Sequence, residues 1–206
     1  FIDLDPLVWN KCRAPASEIR GTRELLCAGG YPEIQKSQDD DFISAWFEAY
    51  VRTFIQRDLF FIQETSVLPD VMTKLLGMLC HVHGNQWNAS VIASSAGVSH
   101  HTVVRYLTLL ENAFLVRRLQ AYFVNIRKRL VKAPKIFIRD AGLRHHLLGV
   151  PAWKQLVMSP YIGSSWEGYC IENLIRSSMT AGLPCRFFYY KVHSGVEADL
   201  VIQRGD

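Results

Sequence analysis

Three acidic side chains in the last third of the sequence have the types and spacing of a cation site. In residues 196–202 apolar and polar side chains alternate as in a strand, so Glu197 and Asp199 share one face. In residues 163–180 the apolar side chains recur at helical spacing, and Glu167 falls inside their arc. One helical and two strand carboxylates can hold Mg²⁺, a hard ion that activates water against a phosphodiester. Glu167, Glu197 and Asp199 are therefore our candidate catalytic residues, with Glu167 and Asp199 as candidate metal ligands.

An alternative interpretation needs no chemistry at these acids. Exposed strand carboxylates also persist as ion pairs, and Lys191 and Arg186 lie close in sequence. On the preceding helix, the same periodicity directs Glu172 away from the apolar face.

A second group of polar side chains lies on one face of a short predicted helix. Asn88 can cap a helix, Gly97 suits a tight turn, and Ser99 can cap a second helix that ends near Asn112. At 100° per residue the second helix separates an apolar face from a polar one. The polar face is a candidate nucleic-acid-reading surface and comprises His101, Arg105, Thr108 and Asn112.

Positive charge is concentrated after this helix. Residues 1–103 hold 8 Lys/Arg and 12 Asp/Glu, whereas residues 104–206 hold 15 and 7. Residues 112–139 contain no acid and eight basic residues, of which Arg127, Lys128, Arg129 and Lys132 are our candidate phosphate contacts. Such a one-signed field attracts a polyanion, although a solvated basic face without a ligand has the same composition.

The elements that position these residues form three predicted regions. Residues 1–65 predict a helical connector, with a long amphipathic helix from residue 41. Residues 66–140 predict three helices and a basic two-stranded ribbon, the pattern of a winged helix-turn-helix. Residues 141–206 predict a helix and an antiparallel hairpin, the start of an α/β domain. The predicted class is α+β and mainly helical. A three-helix core that merely packs on its neighbours is the alternative to a winged helix.

The composition indicates the cellular compartment and whether disulfides or zinc sites are expected. The five cysteines are scattered and never spaced as C-x-x-C, which favours reduced thiols over disulfides or zinc. No export signal and no apolar run of membrane-spanning length is present in the sequence. We expect a cytoplasmic protein without a membrane partner.

Several segments together resemble one family. They are GGYPE at residues 29–33, WFEAY at 46–50, TFIQRD at 53–58, GVS at 97–99, KIFIRDAGL at 135–143, GSSWE at 163–167 and GVEAD at 195–199. In this order they resemble the bacterial and archaeal AAA-superfamily ATPases that carry a C-terminal domain of unknown function. The resemblance implies an N-terminal P-loop ATPase, a winged helix and a restriction-endonuclease-like domain of the PD-(D/E)XK type.

The sequence departs from that pattern at two points. The P-loop pattern G-x-x-x-x-G-K-S/T is absent, so we expect a motor module, with its ATP and Mg²⁺, only in a longer protein. Glu167 matches the helical acid of the nuclease-like pattern and Asp199 its first strand acid, but the following E-x-K would lie beyond residue 206. The PD-(D/E)XK-like domain is therefore expected to be truncated and this fragment inactive, with no cofactor of its own. Arg57 and Asp58 are expected to contact the missing ATPase module, and an exposed ion pair is the alternative.

Three functions follow from these observations. The first is a nucleic-acid-binding and regulatory part of an AAA-type ATPase, with DNA as the partner. The second is a Mg²⁺-dependent nuclease in the longer protein, and the third is a non-catalytic scaffold that docks on protein. The sequence leaves homo-oligomerisation, the preferred nucleic-acid sequence and the pathway open.

Overall fold

The computed structural model describes residues 21–37, 39–59, 68–123, 133–192 and 195–205. Within them the chain has a mixed α+β fold that is mainly helical, as predicted. None of the described helices combines the length and apolar composition that a bilayer crossing requires.

The described part of the chain begins with three helices. They are α1 (Thr22–Ala28), α2 (Pro32–Gln35) and α3 (Asp40–Thr53), and α3 continues into a π-helical turn over Phe54–Asp58. Asp39 caps α3, because its carboxylate accepts from the backbone N–H groups of Asp41 and Phe42. The helix predicted from residue 41 is thus present.

Three helices follow in the arrangement that the caps predicted. They are α4 (Pro69–Val82), α5 (Ala89–Ala96) and α6 (His100–Asn112). Asn88 caps α5, Gly97 ends it in the left-handed region with φ 70°, and Ser99 caps α6. The apolar face of α6 is buried in the main core through Val103, Tyr106, Leu107, Leu109 and Leu110.

The strands of the two later regions belong to one sheet. Strand β1 (Val116–Ala121) pairs antiparallel with β2 (Lys135–Ile138), and β3 (Cys185–Lys191) pairs antiparallel with β4 (Glu197–Arg204). Parallel pairing of Gln120 and Ala121 in β1 with Phe188 and Tyr189 in β3 joins the two pairs in the order β2-β1-β3-β4. The predicted ribbon and hairpin are both present, and the ribbon also has β3 as a neighbour.

Three more helices follow β2 in the sequence. They are α7 (Ala141–Leu147), α8 (Trp153–Met158) and α9 (Ile162–Thr180). A second, smaller core includes Ile171 and Ile175 of α9 and residues of β1, β2 and β3. Helix α9 therefore lies against the sheet and brings its polar side chains close to the strands.

Asp140 connects the end of β2 to the first helices. Its buried carboxylate accepts from Gly30 N at 2.7 Å and, as the cap of α7, from Leu143 N at 2.8 Å. Gly142 packs so closely on Ala28 that an added Cβ would lie 2.2 Å from the carbonyl oxygen of Ala28. The GGYPE and RDAGL segments thus meet at one junction between α1, β2 and α7.

Candidate functional site: a lysine among three carboxylates

Lys135 is the centre of a charged cluster that contains all three candidate acids. It is the first residue of β2, and its side chain is only 6% exposed. Its ammonium group donates to Asp199 Oδ1 at 2.8 Å and lies 2.8 Å from Glu197 Oε1. Glu167 Oε1 lies 3.8 Å from the same nitrogen. The structure brings Glu167, Glu197 and Asp199 together, and the lysine that joins them was not among the candidate residues.

Different elements supply the members of this cluster. Glu167 comes from the first turns of α9, whereas Glu197 and Asp199 come from one face of β4, as the strand alternation predicted. Lys191 of β3 also donates to Glu197, at 2.7 Å. The alternative interpretation of Glu197 as an ion-paired strand acid is therefore also realised. An open cavity of about 520 Å³ lies over the cluster.

The pKa values in the cluster are shifted in different directions, because some of its charged groups have close partners of opposite charge and Glu167 has only a more distant one. Burial alone would lower the pKa of Lys135, but its hydrogen bonds to Asp199 and Glu197 outweigh burial and raise it. Hydrogen bonds from Lys135 and Lys191 lower the pKa of Glu197 to about 2. Burial raises the pKa of Glu167, whose Oε1 has no hydrogen-bond partner among the described residues.

The carboxylates do not fit a magnesium ion in this arrangement. Mg²⁺ requires oxygen ligands at close to octahedral geometry, but the position between Asp199 and Glu197 is taken by the ammonium of Lys135. Among the described ranges, no group of three His, Cys, Asp or Glu side chains has metal-site geometry. The cluster as it stands is a salt-bridge network with one more carboxylate than ammonium groups.

The predicted reading face of α6 is only partly exposed. His101 and Asn112 are exposed, whereas Arg105 and Thr108 are half-buried. The Arg105 guanidinium lies 5.3 Å from the ring centroid of Tyr106, and the Thr108 hydroxyl donates to Val104 O at 3.1 Å. His101 and Asn112 are the members of this face that are most accessible to a ligand. Arg127, Lys128, Arg129 and Lys132 lie outside the described residues.

Glu172 corrects the sequence interpretation of α9, because it does not point away from the protein. Its side chain is 4% exposed and binds Arg117 of β1, with Arg139 Nε at 3.2 Å and Arg176 Nε at 3.6 Å. The periodicity failed because it put the buried face of α9 on the wrong side: Trp166 and Leu174 are exposed, and the buried face comprises Ser165, Gly168, Ile171, Glu172, Ile175 and Ser178. The excess of arginine in an acid-free stretch was the available signal that a distant acid had to compensate it.

Arg57 and Asp58 pair with each other at the end of the π-helical turn. Arg57 Nε donates to Asp58 Oδ1 at 2.8 Å, and both side chains are substantially exposed. This is the exposed ion pair that the sequence left open, and a contact with an ATPase module stays a prediction.

Comparison with known proteins gives a family without an assigned activity. Residues 19–154 match a domain of unknown function, DUF8612, and the chain belongs to this family. It is 35% identical over 179 residues to an uncharacterized protein of Mycobacterium tuberculosis and, equally, to one of Mycobacterium bovis. Each match covers 87% of this chain and 40% of the relative.

A more distant relative is an uncharacterized protein of Haemophilus influenzae, 29% identical over 127 residues. That match covers 59% of this chain and 31% of the relative. The chain thus spans about 40% of the length of its mycobacterial relatives. No solved structure gives a significant match. A domain of unknown function was part of the resemblance, whereas the ATPase, the winged helix and the restriction-endonuclease-like domain remain predictions.

Glu197 has two basic partners, whereas the charge of Glu167 is poorly compensated. Substitution of each by glutamine should therefore have opposite effects on stability. The folded pKa of Glu197 is lowered, so its ion pairs contribute stability at neutral pH that is lost as pH falls from about 4.3 towards 2. The folded pKa of Glu167 is raised, so its contribution is present at acidic pH and is lost as pH rises. At pH 7, Glu197→Gln should lower the free energy of unfolding and Glu167→Gln should raise it, each on the order of 1 kcal/mol.

Urea unfolding between pH 3 and 7 measures both effects. Glu48→Gln is the control, since Glu48 forms an exposed pair with Arg52 and should change stability by only about 0.3–0.5 kcal/mol. Equal destabilisation by Glu167→Gln and Glu197→Gln at pH 7 would contradict this account of the cluster.

Proposed function

We propose that the chain is a nucleic-acid-binding and regulatory part of a longer protein, the C-terminal portion of an AAA-type ATPase. The observation that carries the proposal is the pair of helices α5 and α6 around the left-handed turn at Gly97. Helix-turn-helix proteins use the second helix of such a pair to approach a groove of DNA. His101 and Asn112 are the exposed side chains that α6 offers for this contact.

Some of the basic residues in residues 112–139 are paired with acidic side chains within the fold. Of the eight in residues 112–139, four already have acidic partners. Arg117 and Arg139 bind Glu172, Arg118 binds Glu111, and Lys135 binds the carboxylate cluster. Our candidate phosphate contacts for duplex DNA stay Arg127, Lys128, Arg129 and Lys132, which follow β1 in sequence as the wing of a winged helix would.

The length of the relatives is compatible with an additional module. The match covers 40% of the mycobacterial relatives and 31% of the Haemophilus relative. Those proteins are thus long enough to contain the ATPase that the resemblance implies. In such a protein, the exposed Arg57–Asp58 pair is our candidate contact with the ATPase, which would supply the ATP and Mg²⁺ site.

Salt-dependent binding to duplex DNA tests the nucleic-acid role. We expect binding at about 50 mM salt that weakens steeply as salt rises, because phosphate contacts release counterions. Simultaneous replacement of Arg127, Lys128 and Arg129 by alanine should reduce the slope of log K against log salt by about 0.9 for each lost contact. Fluorescence anisotropy of a labelled duplex measures both quantities.

The control replaces three exposed lysines outside this stretch, Lys36, Lys74 and Lys154, by alanine and so removes the same charge. Equal losses in the two triple variants would contradict specific contact by the wing. An absence of binding at low salt, together with a protein complex that survives high salt, would favour the docking scaffold instead.

A second candidate function is phosphodiester cleavage in the longer protein. The convergence of Glu167, Glu197 and Asp199 at one open cavity favours it, since these acids come from the elements that the PD-(D/E)XK resemblance assigns. The downstream E-x-K would have to supply further ligands, because the three acids do not fit Mg²⁺ while Lys135 lies between them.

Cleavage of DNA by the longer protein in Mg²⁺, with and without a chelator, tests this candidate. We expect Asp199→Ala to reduce cleavage by at least about a hundredfold, as loss of a catalytic group commonly does. Asp41→Ala, which removes an exposed acid at the start of α3, should leave the rate unchanged. Cleavage that survives Asp199→Ala would contradict a site at this cluster.

A further inference from the structure

Phe114 has a backbone conformation that does not suit its side chain. It follows α6 with φ 60°, and its N–H donates to Glu111 O while the N–H of Leu115 donates to Leu110 O. These two bonds form the helix-terminating motif in which glycine or asparagine normally takes the left-handed position. A bulky residue there is a true outlier. Packing does not compensate the strain, because Phe114 is 74% exposed.

The exposed ring borders a cavity that also contains two arginines. The cavity has a volume of about 370 Å³, and its lining includes Tyr31, Tyr50, Phe114, Arg139 and Arg176. Pockets for small molecules commonly have roughly 300–1,000 Å³. The Arg139 guanidinium lies 5.4 Å from the centroid of the Phe114 ring, so an aromatic face and a cation occur side by side at the rim.

The charges around the cavity leave an excess of positive charge. Arg117, Arg139 and Arg176 all contact the single carboxylate of Glu172. Among the described residues that line the cavity, Asp140 is the one acid, and its carboxylate already caps α7 and binds Gly30 N. Three guanidinium groups thus meet two carboxylates. An anionic ligand would balance this excess.

We propose that this cavity binds a nucleotide, with the base stacked on Phe114 and the phosphate held by Arg139 and Arg176. An aromatic platform beside guanidinium groups matches a ligand that joins a flat ring to a phosphate. The proposal also accounts for a phenylalanine where the backbone favours glycine. The nucleotide can be free or can be one unit of a single strand, since both offer the same chemistry.

This site contains neither His101 nor the wing residues of the proposed contact with duplex DNA, although Asn112 of the same reading face lies two residues before Phe114. Phe114 lies beyond the C-terminus of α6, whereas His101 lies in its first turn, roughly 20 Å away along the helix axis. The nucleotide site therefore does not depend on the wing. Loss of duplex binding in the triple wing variant with retained nucleotide binding would separate the two proposals.

Calorimetric titration of the 206-residue chain with AMP, ribose 5-phosphate and a short single-stranded oligonucleotide tests the site. We expect AMP, the oligonucleotide or both to bind, and ribose 5-phosphate to bind more weakly because it lacks the base. Phe114→Gly should weaken binding about tenfold or more through loss of stacking. Arg176→Gln should have an effect of about the same size through loss of a charged hydrogen bond.

Phe114→Gly also separates a binding role from a folding role. Glycine tolerates the left-handed conformation, so this variant should melt no lower than the original chain while it loses affinity. Arg204→Gln, an exposed arginine at the end of β4, is the control and should bind normally. The proposal is overturned if neither AMP nor the oligonucleotide binds, or if either Phe114→Gly or Arg176→Gln leaves the affinity unchanged.

Discussion

A buried ammonium group must have negative partners, and in this protein that requirement connects two distant parts of the chain. Lys135 begins β2, but its hydrogen-bonded carboxylates are on β4, more than 60 residues later in the sequence. Removal of such partners would leave a charge in a poorly hydrated position, which costs several kcal/mol. The position of β4 and of the start of α9 relative to β2 is therefore linked to one lysine.

The same requirement explains the packing of α9 against β1. Glu172 is buried, and Arg117, Arg139 and Arg176 approach it from β1, from the end of β2 and from its own helix. Arg117 and Arg139, two basic residues of residues 112–139, are thereby paired with an acid inside the fold.

Local signals in the sequence predicted the local parts of this structure well. The caps at Asn88 and Ser99 and the glycine at residue 97 predicted α5 and α6, and strand alternation predicted that Glu197 and Asp199 share a face. These features depend on contacts within a few residues. The mixed α+β class followed from the same patterns.

Long-range partners could not be predicted in this way. Lys135 looked like one of several basic residues, because nothing near it in sequence identifies its acidic partners. Glu172 was misplaced since the apolar side chains of α9, such as Trp166 and Leu174, indicated a different face from the one that is buried. The parallel contact between β1 and β3 involves only two residues on each strand, too few to leave a pattern in the sequence.

The central claim is that Lys135 and its carboxylates act as one energetic unit, and a double-mutant cycle measures this directly. Free energies of unfolding are needed for Lys135→Met, Asp199→Asn and the double variant at pH 7. We expect the double variant to be more stable than the sum of the single effects by about 1 kcal/mol, because Asp199 is half-exposed whereas Lys135 is buried. Effects that add to within about 0.3 kcal/mol would contradict the claim.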